Sequence, residues 1–227
     1  MNRGPVVREG YIYIAAALFL AVVMYFGFGV AVAVPFVVLA CYFTYFFRNP
    51  DRTIPTDEHL VVSPADGTVQ DVVELEDDDF VKGPCTKIII FLSVFNVHVN
   101  RSPIAGEIKC QKYVCGRFRP AYKDEVGFEN ERHMLGIENE KGFRVTVTQI
   151  AGILARRIVS WVTLDDNMSK GQVYGLIKFG SCTELVVPRN VEVLVKKGDK
   201  VRGGAGLRNR IIFTIAATHG WRCCKME

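Results

Sequence analysis

Charged residues are absent from one long stretch of this chain, residues 10–47. A membrane-spanning helix needs about 20 apolar residues, so the stretch is nearly long enough for two such helices. Glycines and a proline near its middle favour a reversal there, with one long tilted span or a re-entrant hairpin as the alternatives. Arg8 and Arg48 flank it, and positively charged flanks stay in the cytoplasm. The pattern predicts an N-terminal membrane anchor, residues 1–47, that forms a helical hairpin in the inner (plasma) membrane.

Several classes of protein are disfavoured by what the chain does not contain. Its seven cysteines are odd in number and include no Cys-x-x-Cys pair, which argues against a disulfide framework or a metal site. Reduced thiols agree instead with a catalytic or binding domain on the cytoplasmic side. The net charge is only +4, and no dense Lys/Arg stripe is interleaved with aromatic residues, so no nucleic-acid partner is expected. The Gly-x-Ser-x-Gly elbow of the α/β-hydrolases is also missing.

Beyond the anchor, residues 48–227 contain short runs rich in Val and Ile, bounded by Gly, Pro, Asn and Asp. No run has a helical period longer than three turns, so this domain is expected to be mainly β, sandwich or barrel-like, with some α+β character. A polar insertion over residues 116–133 interrupts the strands and is typical of a functional or disordered loop. The predicted strands are 68–75, 87–92, 107–114, 143–150, 153–162, 172–179, 183–187, 191–195 and 211–215.

A Gly-Ser pair, Gly180 and Ser181, lies between two of these runs. Its ordinary interpretation is a turn in a β-hairpin. The alternative is that the Ser181 hydroxyl attacks the Gly180 carbonyl and cuts the chain, because glycine tolerates the unusual backbone that this attack needs. Such chemistry requires a general base close to the hydroxyl.

His98 is the best candidate for that base among the four histidines, because its neighbours are apolar and rigid. Asp66, in the turn Ser63-Pro-Ala-Asp-Gly67, could fix the tautomer of the imidazole and stabilise the imidazolium. A hydrogen-bonded core histidine and a turn-capping aspartate are the simpler interpretations. Spacing alone leaves both sets of interpretations open.

Six short motifs follow one another from the membrane exit to the second half of the chain. They are Phe47-Arg-Asn-Pro50, Ser63-Pro-Ala-Asp-Gly67, Phe95-Asn-Val-His-Val-Asn-Arg101, Asn130-Glu-Arg132, Ala155-Arg-Arg-Ile158 and Phe179-Gly-Ser181. In this order they resemble the phosphatidylserine decarboxylase proenzymes of the short bacterial and archaeal type. The resemblance covers the chain to about residue 215, and no single motif would be specific.

The resemblance implies a precursor that cuts itself between Gly180 and Ser181, giving a large subunit (1–180) and a small subunit (181–227). Ser181 would become a covalent pyruvoyl group, the only cofactor, with His98 as base and Asp66 as its partner. That group acts as an electron sink and needs no metal. Cys182 stands where longer relatives have threonine, which leaves its role open.

The implied reaction converts phosphatidylserine to phosphatidylethanolamine, and archaetidylserine, which has the same headgroup, is an alternative substrate. A lipid substrate in the membrane explains the anchor. Exposed β edges also predict self-association into a homo-oligomer. Candidate contacts to the lipid phosphate or carboxylate, each equally interpretable as a surface ion pair, are Arg101, Arg132, Arg156 and Arg157.

A membrane-tethered carrier or adaptor module is the competing hypothesis. The run Val191-Glu-Val-Leu-Val-Lys-Lys-Gly-Asp-Lys-Val201 is similar to the hairpins of biotinyl and lipoyl carrier domains, and residues 168–173 partly repeat it. A carrier needs a modifiable lysine at a tight hairpin tip in a Met-Lys-like setting, and the sequence has none. The repeat therefore indicates shared β architecture.

Overall fold

A computed structural model describes residues 4–116, 130–152, 157–178, 181–204 and 213–215, with backbone only at Ser181 and at the last range. Its first two elements are helices, α1 (Arg8–Phe28) and α2 (Val30–Phe46).

The two helices reverse direction at Gly29, whose positive φ of 85° suits a residue without Cβ. The N–H of Gly29 bonds the carbonyl of Tyr25 at 3.0 Å and ends α1. The other ends of the hairpin are also joined, because the Val7 N–H donates to the Phe47 carbonyl at 3.0 Å. With 21 residues and a mean hydropathy of 2.1, α1 is a candidate membrane span, while α2 is shorter.

Fourteen strands follow the hairpin in the described part of the chain, and all their pairings are antiparallel. The strands are β1 (Leu60–Val61), β2 (Gly67–Leu75), β3 (Cys85–Leu92), β4 (Val99–Arg101), β5 (Gly106–Val114), β6 (Arg132–Glu138), β7 (Arg144–Ala151), β8 (Ile158–Ser160), β9 (Asn167–Met168), β10 (Val173–Ile177), β11 (Ser181–Pro188), β12 (Val191–Val193), β13 (Lys200–Val201) and β14 (Phe213–Ile215).

These strands form three sheets. The largest has eight strands in the order β13-β2-β3-β11-β7-β6-β5-β9, and two three-stranded sheets have the orders β4-β10-β8 and β1-β14-β12. The central strands of the large sheet share one apolar core, with Ile90 of β3, Leu135 of β6, Val147 of β7 and Leu185 of β11 all fully buried. This core fixes the position of β11. The sequence-based prediction of a mainly β protein with an N-terminal apolar helical segment is confirmed.

Most predicted strands are present, with shifted ends. β6 was not predicted, because Arg132 and His133 were assigned to the polar insertion, whereas the structure begins a strand at Arg132. The predicted strand 153–162 is reduced to β8 in the described part, and residues 153–156 lie outside it. Most of the insertion, residues 117–129, also lies outside the described residues.

β10 and β11 belong to different sheets, although they follow one another in the sequence. β10 has β4 on one edge and β8 on the other, while β11 lies between β3 and β7. Because both edges of each strand are occupied, the two cannot pair as a hairpin. The simple hairpin-turn interpretation of the Gly180–Ser181 pair is therefore wrong: the pair lies where the chain passes from one sheet to another.

Candidate active site

The predicted cleavage junction, Gly180–Ser181, lies at the start of a central strand. Ser181 is the first residue of β11, and it is paired with Leu92 of β3 and with Ala151 of β7. Gly180 lies outside the described residues. On the other side of the junction, the N–H of Ile177 donates to the carbonyl of His98 at 3.2 Å.

The segment from Leu92 to His98 therefore contacts the chain on both sides of the junction. Leu92 is the register partner of Ser181, and six residues later the His98 carbonyl accepts from Ile177. Sequence analysis had proposed His98 and Ser181 as base and nucleophile. The backbone of the structure brings their segments together at one place.

His98 is fully buried, and its ring lies 4.2 Å from the ring of Phe46 at the end of α2. Its Nδ1 is 2.9 Å from the carbonyl oxygen of Asn96. A carbonyl can only accept, so Nδ1 carries the proton and Nε2 keeps the lone pair that a general base needs. Burial, helped by the positive charge of Arg48, lowers the pKa of His98 to about 4, although the hydrogen bond to Asn96 opposes this change. The imidazole is neutral at pH 7.

Asp66 lies in a buried turn, and both of its carboxylate oxygens have partners. Oδ2 accepts from Arg52 Nη2 at 2.7 Å, and Oδ1 accepts from the backbone N–H of Gly203 at 2.8 Å. The hydrogen bond to Nδ1 of His98 that the triad hypothesis assigns to Asp66 is made here by Asn96. In this structure Asp66 ties the segment after the hairpin to the turn at Gly203, and its role in a triad stays a prediction.

The four candidate arginines have different surroundings. Arg101 holds the membrane exit in place: its Nη2 donates to Asn49 Oδ1 at 2.8 Å and to the Pro50 carbonyl at 2.9 Å. Arg132 begins β6, half-buried, and Arg157 is exposed. Arg156 lies outside the described residues.

Arg157 is the candidate arginine placed beside the junction, because its carbonyl accepts from the N–H of Lys178 at 3.2 Å. Cys182, next to Ser181, is buried, and burial raises the pKa of its thiol. Such a thiol stays protonated at neutral pH and is a poor nucleophile. Within the described ranges, no group of three or more His, Cys, Asp or Glu side chains could hold a metal ion.

A buried chain of polar side chains runs across the sheet beside the junction, and sequence analysis missed it. Thr183 of β11 accepts from Asn100 Nδ2 at 3.1 Å, and Asn100 Oδ1 accepts from Gln149 Nε2 at 2.8 Å. Gln149 Oε1 in turn lies 3.1 Å from Nδ1 of His133. All four side chains are nearly inaccessible to solvent. The signal in the sequence was Gln149 itself, which interrupts the β-branched run at residues 145–150.

Gln149→Leu is expected to lower the free energy of unfolding by about 3 kcal/mol, because it leaves buried polar atoms of Asn100 and His133 without their partner. Chemical denaturation of uncut Ser181→Ala chains in detergent micelles, with and without Gln149→Leu, measures the change. Thr148→Val, on the neighbouring residue of the same strand, is the matched control and should cost less than about 1 kcal/mol. Equal losses for both variants would mean that the polar chain adds nothing specific.

His98 also predicts a pH dependence of stability. Its folded-state pKa of about 4 lies below the unfolded value of 6.5, so its contribution is complete above pH 6.5 and is lost as the pH falls towards 4. Between pH 6.5 and 4.5 the loss is about 2 kcal/mol. The measurement compares uncut Ser181→Ala chains with and without His98→Phe. Both chains have the same carboxylates, so the difference between their free energies of unfolding reports on His98 alone. If that difference does not change with pH, the prediction is contradicted.

The base of the hairpin packs against this same region. Phe46, Phe47 and Val7 form one apolar cluster with Val99 of β4 and Leu176 of β10. The Trp161 indole also donates to Glu9 Oε1 of α1 at 2.7 Å.

Lys178, which precedes the junction by two residues, lies 3.4 Å from the Tyr13 hydroxyl of α1. The His98 ring faces Phe46 of α2. The chain just before the junction and the proposed base are therefore both in contact with the helical hairpin.

Comparison with known proteins identifies the family to which these features belong. The profile described as phosphatidylserine decarboxylase matches residues 39–208, which include Asp66, His98 and Ser181. The chain belongs to the phosphatidylserine decarboxylase family. This membership decides against the carrier or adaptor hypothesis, because the family consists of decarboxylases.

Individual relatives match almost from end to end. The phosphatidylserine decarboxylase proenzyme of Symbiobacterium thermophilum is 47% identical over 211 residues, covering 93% of this chain and 98% of the relative. The proenzyme of Carboxydothermus hydrogenoformans is 47% identical over 208 residues, covering 90% and 95%. The proenzyme of Anaplasma phagocytophilum is 41% identical over 201 residues, with 87% of each chain covered.

Proposed function

We propose that this chain is a self-processing decarboxylase that converts phosphatidylserine to phosphatidylethanolamine in the membrane. The precursor cuts itself between Gly180 and Ser181, and Ser181 becomes the pyruvoyl group. One observation carries the proposal beyond family membership. The segment that ends in the neutral, buried His98 contacts the chain on both sides of the Gly180–Ser181 bond.

The self-cleavage is a sequence of steps on the chain's own residues. His98 Nε2 takes the hydroxyl proton of Ser181, whose Oγ attacks the carbonyl carbon of Gly180. The peptide C–N bond breaks, the nitrogen gains the proton, and Gly180 is left as an ester on Ser181. Loss of the Ser181 α-proton then expels Gly180 as a free carboxylate. Water replaces the nitrogen of the remaining unsaturated residue, releasing ammonia and leaving a ketone.

The pyruvoyl group supplies an electrophilic carbonyl that takes up the electron pair released when carbon dioxide leaves the serine headgroup. The strand that carries its precursor is suited to hold it. Ser181 is paired with Leu92 and Ala151, and the pairing continues on both edges of β11 to Val186. Residues 182–186 are paired on both edges and lie beyond the Gly180–Ser181 peptide, so cutting that peptide leaves the new N-terminus anchored in the sheet.

The hairpin explains how a lipid reaches this site. Residues 1–47 serve as the membrane anchor and residues 48–227 as the catalytic domain, on the cytoplasmic side. Contacts of His98 with Phe46 and of Lys178 with Tyr13 support a site at the membrane surface, where the headgroup lies. Arg157, exposed beside the junction, is our first candidate for the lipid phosphate, with Arg132 and Arg156 as further ones.

Intact-mass analysis and a decarboxylation assay test the proposal together. Protein purified from membranes should give two fragments, 1–180 and 181–227, the smaller with a blocked N-terminus. It should release labelled carbon dioxide from carboxyl-labelled phosphatidylserine. A parallel assay with archaetidylserine tests the alternative lipid backbone. A single uncut chain with full activity, or a cut chain inactive on both lipids, would overturn the proposal. Native mass spectrometry of the same sample checks for the predicted homo-oligomer.

A further inference from the structure

The turn of the catalytic domain at residues 93–96 lies beside the last turn of α2. The Arg48 guanidinium sits 3.7 Å from the centre of the Tyr45 ring, and its Nη1 donates to the Tyr45 carbonyl at 2.6 Å. Nη2 of the same group donates to the carbonyl of Phe95 at 2.9 Å. Because Arg48 reaches back over Tyr45, the Phe95 backbone lies beside the helix rather than beyond its end.

The side chain of Phe95 is 65% exposed, although the turn that carries it is well defined. The N–H of Asn96 bonds the Ser93 carbonyl at 2.8 Å, and the N–H of Ser93 bonds Asn96 Oδ1 at 2.9 Å. The N–H of Phe95 lies 3.3 Å from Ser93 Oγ. Turn positions usually carry polar or small residues, and Phe95 instead adds a large exposed aromatic side chain next to the exposed apolar surface of α2.

We propose that Phe95 enters the interfacial layer of the lipid bilayer as a second membrane contact beside the hairpin. This inference rests on the proposed anchoring of the hairpin in the membrane. The occupant is a bilayer because Phe95 continues the exposed apolar surface of α2, next to the half-exposed Tyr45. Aromatic side chains are favoured at this depth, and Arg48 between them can face anionic headgroups.

The contact has a consequence for the active site. Phe95 is three residues before His98, in the segment whose first residue, Leu92, pairs with Ser181. A membrane contact at Phe95 therefore keeps His98 and the Gly180–Ser181 junction close to the bilayer surface, where the serine headgroup of the lipid lies. We expect Phe95 to help the enzyme capture substrate from a membrane surface and to have no part in the chemistry.

Photocrosslinking of the full-length protein in phosphatidylglycerol-containing vesicles tests the contact directly. The photoreactive residue p-benzoylphenylalanine is placed singly at position 95, 26 or 194. Phe26, near the tip of the hairpin, is 82% exposed, and Leu194, in the catalytic domain, is 45% exposed. The expected result is a lipid adduct, detected by mass, at positions 95 and 26 and none at 194.

The three positions separate the inference from the function on which it rests. An adduct at 26 without one at 95 would overturn the inference and leave the anchoring intact. No adduct at 26 would contradict the anchoring itself. Equal adduct yields at 95 and 194 would also overturn the inference, because Phe95 would then behave like any exposed apolar residue.

Kinetics provide a second readout. Phe95→Ser should raise KM for phosphatidylserine in vesicles about 10-fold, with kcat unchanged, and Phe95→Trp should restore it. With a short-chain, water-soluble phosphatidylserine the two variants and the unaltered enzyme should have the same KM. An equal rise of KM on both substrates would show a structural effect and contradict the inference. If Phe95→Ser does not fold, the comparison of Phe95→Trp with Phe95→Leu on vesicles replaces it, with the leucine variant expected to bind more weakly.

Discussion

Replacing Ser181 with alanine is expected to leave one uncut polypeptide of 227 residues without decarboxylase activity. In the proposed mechanism the Ser181 hydroxyl is the nucleophile, and its elimination with the Gly180 carboxylate is what turns this residue into the carbonyl cofactor, so no other residue can supply what is lost. The fold should persist, because β11 is held by backbone pairing with β3 and β7. Denaturing gel electrophoresis and intact mass measure the cutting, and labelled carbon dioxide measures the activity.

The neighbouring thiol provides the matched control. Cys182→Ser alters a buried residue next to the junction, and we expect cutting at the normal position with near-normal yield. Burial raises the pKa of the Cys182 thiol, which keeps it from replacing the serine. Fragments ending at residue 180 in the Ser181→Ala protein would contradict the assignment of the nucleophile.

Replacing His98 with phenylalanine is expected to slow self-cleavage by about 100- to 10,000-fold, the range typical for loss of a general base. Phenylalanine keeps an aromatic ring against Phe46, so packing at the hairpin base is largely preserved. The precursor should accumulate as a folded, membrane-bound chain. A pulse-chase experiment that follows the 1–180 fragment on denaturing gels measures the rate.

His59 supplies the comparison for this variant, because it is an exposed histidine in the loop before β1. His59→Ala should be cut at the unaltered rate. Cutting of the His98→Phe chain at that same rate would remove His98 from the mechanism. A chain that is not cut and also fails to bind membranes would show misfolding, which the retained Phe46 contact is designed to avoid.

The sequence predicted those features that depend on local pattern. A charge-free run predicts membrane helices, and Val- and Ile-rich runs predict strands, because side-chain burial repeats along a single element. β6 was missed because its polar start, Arg132 and His133, continues the composition of the preceding insertion. Its pairing with β5 depends on residues that lie on the other side of the insertion.

The sequence suggested candidate residues for the site but not the hydrogen-bond partners of those residues. The segments that carry Ser181 and His98 meet at the junction, and the roles assigned to the two residues stay predictions. Asn96 was not foreseen as the partner of His98, because a backbone carbonyl has no sequence signature. The hydrogen bond of Arg101 to Asn49 at the membrane exit was also not foreseen, and its role in binding substrate stays a prediction. The partner of a charged side chain depends on tertiary packing between residues that are distant in the sequence.

The position of β11 in the middle of the large sheet changes the thermodynamics of the protein when it is cut. Before cleavage, folding is a unimolecular process of one chain. Afterwards the strand that joins β3 to β7 belongs to a separate polypeptide, so unfolding releases two molecules and stability depends on their concentration. Dilution should therefore lower the melting temperature of the mature enzyme but not that of the uncut precursor. Under the proposed self-cleavage, the chain folds once as a single polypeptide and then persists as two separate polypeptides, which must find one another again if the mature enzyme unfolds.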